Sequence, residues 1–219
     1  PYRLHRMIAQ WLGSDVPYED GLKLQEEHVR KIQSGDASEA LFLMEHSPVY
    51  TIGRTRDQSS LGQAPHLPHP VFEINRGGQA TYHGPGQLVG YPILNLRKYG
   101  RDLHAYLRLL EEVLVNTLSD FGVVAHTREG LTGVWAEERK IASIGVGVRK
   151  WITMHGFALN VSPLSLPPFL NITPCGIEGV TTTCLHYEST QLPEPKTVGD
   201  VIHQHLVDRL ASLRDESSS

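Results

Sequence analysis

Residues 133–161 read GVWAEERKIASIGVGVRKWITMHGFALNV. Three stretches rich in β-branched and small residues (133–136, 141–148 and 151–161) are separated by short charged breaks, Glu137-Glu138-Arg139 and Arg149-Lys150. Breaks this short leave no room for a crossover helix, so successive antiparallel hairpins are the simplest reading. Gly156 inside an apolar strand predicts close backbone approach or a bulge.

Working outward, Asp102 is placed to cap a long helix whose stripe is Leu103, Tyr106, Leu107, Leu110, Val113, Leu114, Thr117, Leu118 and Phe121, ended by Gly122. Tyr18, Leu22, Val29 and Ile32 follow a helical period that stops at Ser34-Gly35. Residues 40–44, 49–52 and 71–75 read as strands, with a polar, proline-rich loop over 58–70. Thr197 is expected to cap a last helix carrying Val198, Val201, Ile202, Leu206, Leu210 and Leu213. Helices flank a run of hairpins, so the class is α+β with a mixed, mainly antiparallel sheet. The reading is one catalytic domain over 1–213 and a frayed tail over 214–219.

Composition sets outer bounds. The 219 residues are 40% hydrophobic and 20% charged, with a net charge of -4. Nucleic-acid binders carry a basic excess, which this chain lacks. No apolar run approaches the roughly 20 residues that span a bilayer. The opening residues carry neither a signal-peptide nor a transit pattern, and the cytoplasm is the expected compartment. Two cysteines nine residues apart are no disulfide framework and fit a reduced setting. His66 and His69 have a ligand-like gap but sit in a proline-rich loop with no helix to align them, so no metal site is expected.

Chemistry concentrates in three other segments. Residues 76–92, RGGQATYHGPGQLVGYP, hold five glycines and two prolines, with Arg76, Gln79, Tyr82, His83 and Gln87 bunched around the turns. Glycine turns alone would only join strands; polar groups gathered on them point to a site. The phosphate-loop lysine and Ser/Thr are missing. Lys140 follows a charged turn, where lysine is ordinarily solvated; the functional alternative is that it starts a strand and points into a pocket. Cys175 lies between Pro174 and Gly176, a setting that turns the chain and presents the thiol to a cleft. Cys184, in Thr-Thr-Thr-Cys-Leu, reads as structural. His155 is either a satisfied core histidine or a base. A thiol, a lysine and a backbone-rich pocket together suggest acyl transfer through a thioester.

Taken together, RGGQATYHGPGQLVGYP, GVWAEERKIASIGV, MHGFALNV and PCGI, in this order and spacing, resemble the lipoyl(octanoyl) transferases. The likeness covers about residues 41–183. It implies the fold of the biotin and lipoate protein ligase catalytic domains. It also implies that an octanoyl group passes from octanoyl-acyl carrier protein to a cysteine, then to a lysine of a lipoyl domain. The acceptors implied are the lipoyl domains of 2-oxoacid dehydrogenase complexes and the glycine cleavage H protein. Carried over, Cys175 is the nucleophile and Lys140 its charged partner. The implied substrate-binding residues are Arg76, Gly77, Gly78, Gln79, Ala80, Thr81, Tyr82 and His83, then Ser143, Ile144 and Gly145, then Gly156, Phe157 and Ala158. No cofactor, nucleic acid or membrane is implied, and a monomer is expected. One local departure is Val180-Thr-Thr where the family usually has Val-Thr-Ser.

The chemistry is quantitatively reasonable. A lysine ammonium about 4 Å from a thiolate contributes roughly 4 kcal/mol at an effective dielectric near 20. That lowers a thiol pKa of about 8.5 by up to about three units, less desolvation. Six methylenes of an octanoyl tail contribute about 5 kcal/mol on burial. The competing readings are an ATP-dependent lipoate or biotin protein ligase, a Cys-His thiol hydrolase using His83 or His155, and a non-catalytic acyl-binding domain.

Overall fold

The computed structural model describes residues 7–53, 58–61, 66–173 and 179–216. In chain order these form β1 (Ile8–Trp11), α1 (Tyr18–Ser34), β2 (Ala40–Met44), β3 (Val49–Ile52), β4 (Val71–Glu73), β5 (Thr81–His83) and β6 (Gln87–Ile93). Then come α2 (Leu103–Asp120), β7 (His126–Arg128), β8 (Leu131–Ala136), β9 (Arg139–Arg149), β10 (Ile152–Asn160), β11 (Thr181–Thr182), α3 (Leu185–Glu188) and α4 (Pro195–Glu216).

The hairpin stretch forms the middle of the main sheet. Among the described residues its order is β1-β2-β6-β10-β9-β8-β7, with β11 added to β9. The β9–β10 connection turns on Lys150 and Trp151, at φ +49° and +69°. Two successive positive φ values match the right-handed twist of the flanking strands. The turn therefore sits one residue later than the Arg149-Lys150 break suggests. Pairing is antiparallel except for β1–β2 and β9–β11. A smaller sheet, β4-β3-β5, lies apart from this one.

Packing follows the strand alternation. One sheet face, with Leu41, Leu43, Leu88, Ala142, Val146 and Leu159, is covered by α2 and α4 through Leu110, Leu114, Leu118, Ile202 and Leu206. The other face, with Phe42, Met44, Val89, Tyr91, Ile152 and Ala158, meets α1 at Val29. The small sheet has its own cluster of Tyr50, Ile52, Tyr82, Phe169 and Ile172. Gly90 has no side chain because the Phe157 ring lies over it; a Cβ there would meet the ring at 2.1 Å.

The helix ends follow capping chemistry. Asp102 accepts a hydrogen bond from the Ala105 amide at 3.0 Å, and Gly35 closes α1 at φ +85°. The last helix starts two residues before the expected cap at Thr197. Proline suits a first helical turn, where no amide partner is needed. It also runs to Glu216, past the expected start of fraying, and Arg214 bonds Glu39 at 2.9 Å. No described helix is long and apolar enough to cross a membrane.

Candidate active site

The glycine-rich run lies across β9 because β9 lacks side chains there. A Cβ at Gly145 would come within 2.9 Å of the Gly77 carbonyl, and one at Gly147 within 2.8 Å of the Asn75 carbonyl. The Gly77 amide instead donates to Val146 O at 3.1 Å. Arg76, 7% exposed, pins the loop from within, donating to the carbonyls of Gly77 (2.7 Å), Gln79 (2.8 Å) and Thr51 (3.2 Å) and to the Thr51 hydroxyl (2.9 Å).

Loop, sheet and α1 enclose a narrow cleft with a cavity volume of about 50 Å³. Its lining includes Arg76, Gly78, Gln79, Ala80, Thr81 and His83 from the glycine-rich segment, Ser143, Ile144 and Gly145 from β9, and Gly156, Phe157 and Ala158 from β10. Three separated sequence segments therefore meet at one cavity. Gly77 and Tyr82 do not line it. Gly77 serves the backbone contact with β9. Tyr82 alternates to the opposite side of β5 from Thr81 and His83 and packs against Tyr50 and Phe169.

Tyr18, Val89, Tyr91 and His155 line the cleft as well; the sequence reading named none of the four as substrate-binding, although it offered His155 as a base. Tyr18 was absorbed into a helical stripe and Tyr91 into the glycine-rich run. His155 has φ +60° in the middle of β10, and its amide donates to Gln25 Oε1 at 2.7 Å. A non-glycine residue held there is a local departure of the kind that collects at sites.

The titratable rings around the cleft are held neutral, next to the Arg76 guanidinium. His83 Nδ1 meets Gln87 Oε1 at 2.7 Å. Burial, then the nearby His46, lowers the His83 pKa to about 3. His46 donates from Nδ1 to Val16 O (2.9 Å) and accepts at Nε2 from the Tyr91 hydroxyl (2.7 Å). Burial lowers its pKa to about 4. Burial also pushes Tyr18 up to about 12 and Tyr91 well above its ordinary value. Both histidines and both tyrosines are therefore neutral near pH 7. His83 is therefore a poor base in the resting site, which counts against its use as the base of a Cys-His hydrolase.

Lys140 is 3% exposed, not solvated. A bulge explains its direction. Val134 pairs with Ala142, but Trp135 pairs with Lys140, so β9 carries one extra residue. Ile141 and Ala142 both join the α2/α4 core. Strict alternation from Ala142, Ile144 and Val146 would drive Lys140 into that core; the extra residue turns it to the opposite face. Its Nζ sits 5.3 Å from the Trp135 ring centroid, and its stem passes over Gly133, where a Cβ would meet Cε at 2.8 Å. Lys140 is not among the residues that line the cleft.

Cys175 lies outside the described residues, as do Arg54 and Arg56, which the sequence offers, with Arg149 and Lys150, as basic candidates for docking an acidic carrier protein. The chain following Cys175 is held by β11, whose Thr182 pairs with Lys140 itself. Thr181 and Thr182, at the departure from the family pattern, form that strand. Cys184 is fully buried, and burial pushes its thiol up, the opposite of an activated nucleophile. Among the described residues no group of three or more His, Cys, Asp or Glu side chains is arranged to hold a metal.

Comparison with known proteins agrees with this geometry. The lipoyl protein ligase A/B catalytic domain family matches residues 17–207. An octanoyltransferase of Geobacter metallireducens is 48% identical over 213 residues, covering 96% of this chain and 94% of its own. A lipoate-protein ligase A solved with ATP superposes with a TM-score of 0.70 at 16% identity, over 96% of this chain and 93% of its own. A biotin protein ligase from Aquifex aeolicus does so at 0.58 and 14%, over 96% and 72%. At such identities the two structures speak for the fold alone, and it is the ligase fold expected from the motifs. With a family match over most of its length and a close relative of the same extent, the chain belongs to the lipoyl protein ligase A/B catalytic domain family, among its octanoyltransferases.

Proposed function

We propose that the protein is an octanoyltransferase acting in protein lipoylation, taking the octanoyl group from octanoyl-acyl carrier protein and delivering it to a lysine of a lipoyl domain. The observation that carries the reading is the convergence of segments 76–83, 143–145 and 156–158 on one cleft, in a chain 48% identical to an octanoyltransferase over nearly its whole length. The apolar wall of Val89, Ile144, Phe157 and Ala158 suits the alkyl tail, where each buried methylene contributes about 0.8 kcal/mol.

Cys175 is the acyl carrier in this reading: its thiolate attacks the donor thioester, the carrier thiol leaves, and the new thioester is cleaved by the acceptor amine. Lys140 supports the thiolate as a nearby cation. Its burial and its pairing with β11, seven residues beyond Cys175, favour that role. The protein acts as a monomer in the cytoplasm, without a cofactor.

Intact mass after incubation with octanoyl-carrier protein tests the scheme. A hydroxylamine-labile octanoyl adduct is expected on the parent and on Cys184→Ser, none on Cys175→Ser. Transfer to a lipoyl domain should proceed without ATP. An adduct on Cys184, or an absolute need for ATP, would overturn the proposal.

A further inference from the structure

Resting on the transferase reading but tested apart from it, a buried amide chain behind the cleft decides which nitrogen of His83 faces the substrate. The chain runs over segments far apart in sequence. Gln87 Nε2 lies 2.9 Å from Tyr82 O and 3.1 Å from Asn160 Oδ1, and Asn160 Nδ2 lies 3.1 Å from Thr183 O. A backbone carbonyl only accepts, so the two ends of the chain orient both amides without ambiguity. Thr183 O requires the Asn160 NH2; that turns Asn160 Oδ1 towards Gln87, which must then present its own NH2. Tyr82 O makes the same demand on Gln87 independently. Gln87 Oε1 is left facing His83 at 2.7 Å, and only a ring N–H satisfies it. Gln87 and Asn160 are 1% and 4% exposed, so solvent does not compete for these bonds, and flipping either amide would set carbonyl against carbonyl.

We propose that Gln87 and Asn160 are positioning residues that hold His83 in its Nδ1–H tautomer, so that Nε2 offers a lone pair to an N–H group of the substrate. With Nδ1 occupied by Gln87, Nε2 is the ring position left for the cleft that His83 lines. The buried Arg76 guanidinium already supplies positive charge to this cleft, so a neutral acceptor there favours a neutral N–H donor over a second cation. Gln79 Oε1, buried on the same wall without a hydrogen-bond partner, adds a second acceptor. The N–H has two possible sources in the transfer: the amides of a pantetheine arm on the acyl donor, and the amine of the acceptor lysine.

Histidine-labelled protein in long-range 1H–15N spectra, with the His83 signals assigned by their loss in His83→Gln, should show a protonated Nδ1 and a bare Nε2. Gln87→Leu should mix or invert the tautomers. Octanamide should bind the parent about tenfold more tightly than methyl octanoate, the worth of one added hydrogen bond, and Gln87→Leu should erase the difference. These readings need no turnover, so they stand even if the parent forms no octanoyl-enzyme, which would refute the transferase reading alone.

Half-reactions then identify the source. If the carrier arm supplies the N–H, Gln87→Leu slows thioester formation from octanoyl-pantetheine but not from a short thioester without amides. If the acceptor lysine supplies it, the same variant slows aminolysis of the preformed octanoyl-enzyme. A bare Nδ1 in the parent overturns the proposal. So does a changed tautomer in Gln87→Leu with amide preference and both half-reactions within twofold of the parent.

Discussion

Acid should unfold this protein by protonating its buried histidines. His46 and His83 are 0% and 8% exposed, and burial lowers their pKa values to about 4 and about 3, from about 6.5 in the unfolded chain. Between the folded and unfolded values the unfolded state binds more protons, so stability is complete above about pH 6.5 and falls as pH drops towards 4 and 3. At pH 5 each unfolded histidine has gained about 2 kcal/mol of proton binding that its folded counterpart has not, at roughly 1.36 kcal/mol per unit. Together the loss approaches about 4 kcal/mol. That figure is a ceiling, because the rings lie 5.9 Å apart and share part of the same repulsion. Against a total of about 5–15 kcal/mol it is a large fraction. Urea unfolding midpoints from pH 8 to pH 5 measure it, with carboxylates and the other histidines common to all variants. His83→Gln should lose about half of the parent's excess slope; its stability at pH 8 is secondary. Stability curves of parent and variant that run parallel through this window would refute the assignment of a buried neutral His83.

Three further outcomes are expected. Gly156→Ala should cost at least about 1–3 kcal/mol in thermal or urea unfolding, because its Cβ would lie 2.2 Å from Gly90 O and 2.7 Å from Pro92 Cδ, forcing β6 from β10; an unchanged midpoint would contradict that contact. Lys140→Ala should raise the midpoint of Cys175 alkylation against pH, moving it back towards the free-thiol value of about 8.5, whereas an unmoved midpoint removes the electrostatic role. Reversing Arg54 and Arg56 to glutamate should raise KM for octanoyl-carrier protein far more than for octanoyl-pantetheine, with the gap closing as salt shortens the Debye length below about 10 Å. Equal losses with both donors would mean that these arginines shape the pocket and do not dock the carrier.

Local chemistry was legible in the chain itself. The charged breaks around β9, the cap at Asp102 and the glycines at 35 and 122 act over a few residues, so spacing alone located the hairpins and helix ends. Gly156 inside its apolar strand likewise predicted a close backbone approach, and the Gly90 carbonyl lies there. The strands β1, β5, β7 and β11 escaped notice, since two to four residues carry too little periodicity and take their order from neighbours, and β6, broken by Gly90 and Pro92, was read as part of the glycine-rich run. The electrostatics of the cleft arise only on folding. His46 meets Tyr91 across 45 positions, Gln87 meets Asn160 across 73, and Gln25 reaches His155 across 130. No local pattern encodes such pairs, because they depend on which strands become neighbours in the sheet. The direction of Lys140 is of the same kind. Its residue type and place after a turn predicted a solvated charge; one extra residue in the β8–β9 register, set by packing Ile141 and Ala142 together into the core, turned it inward.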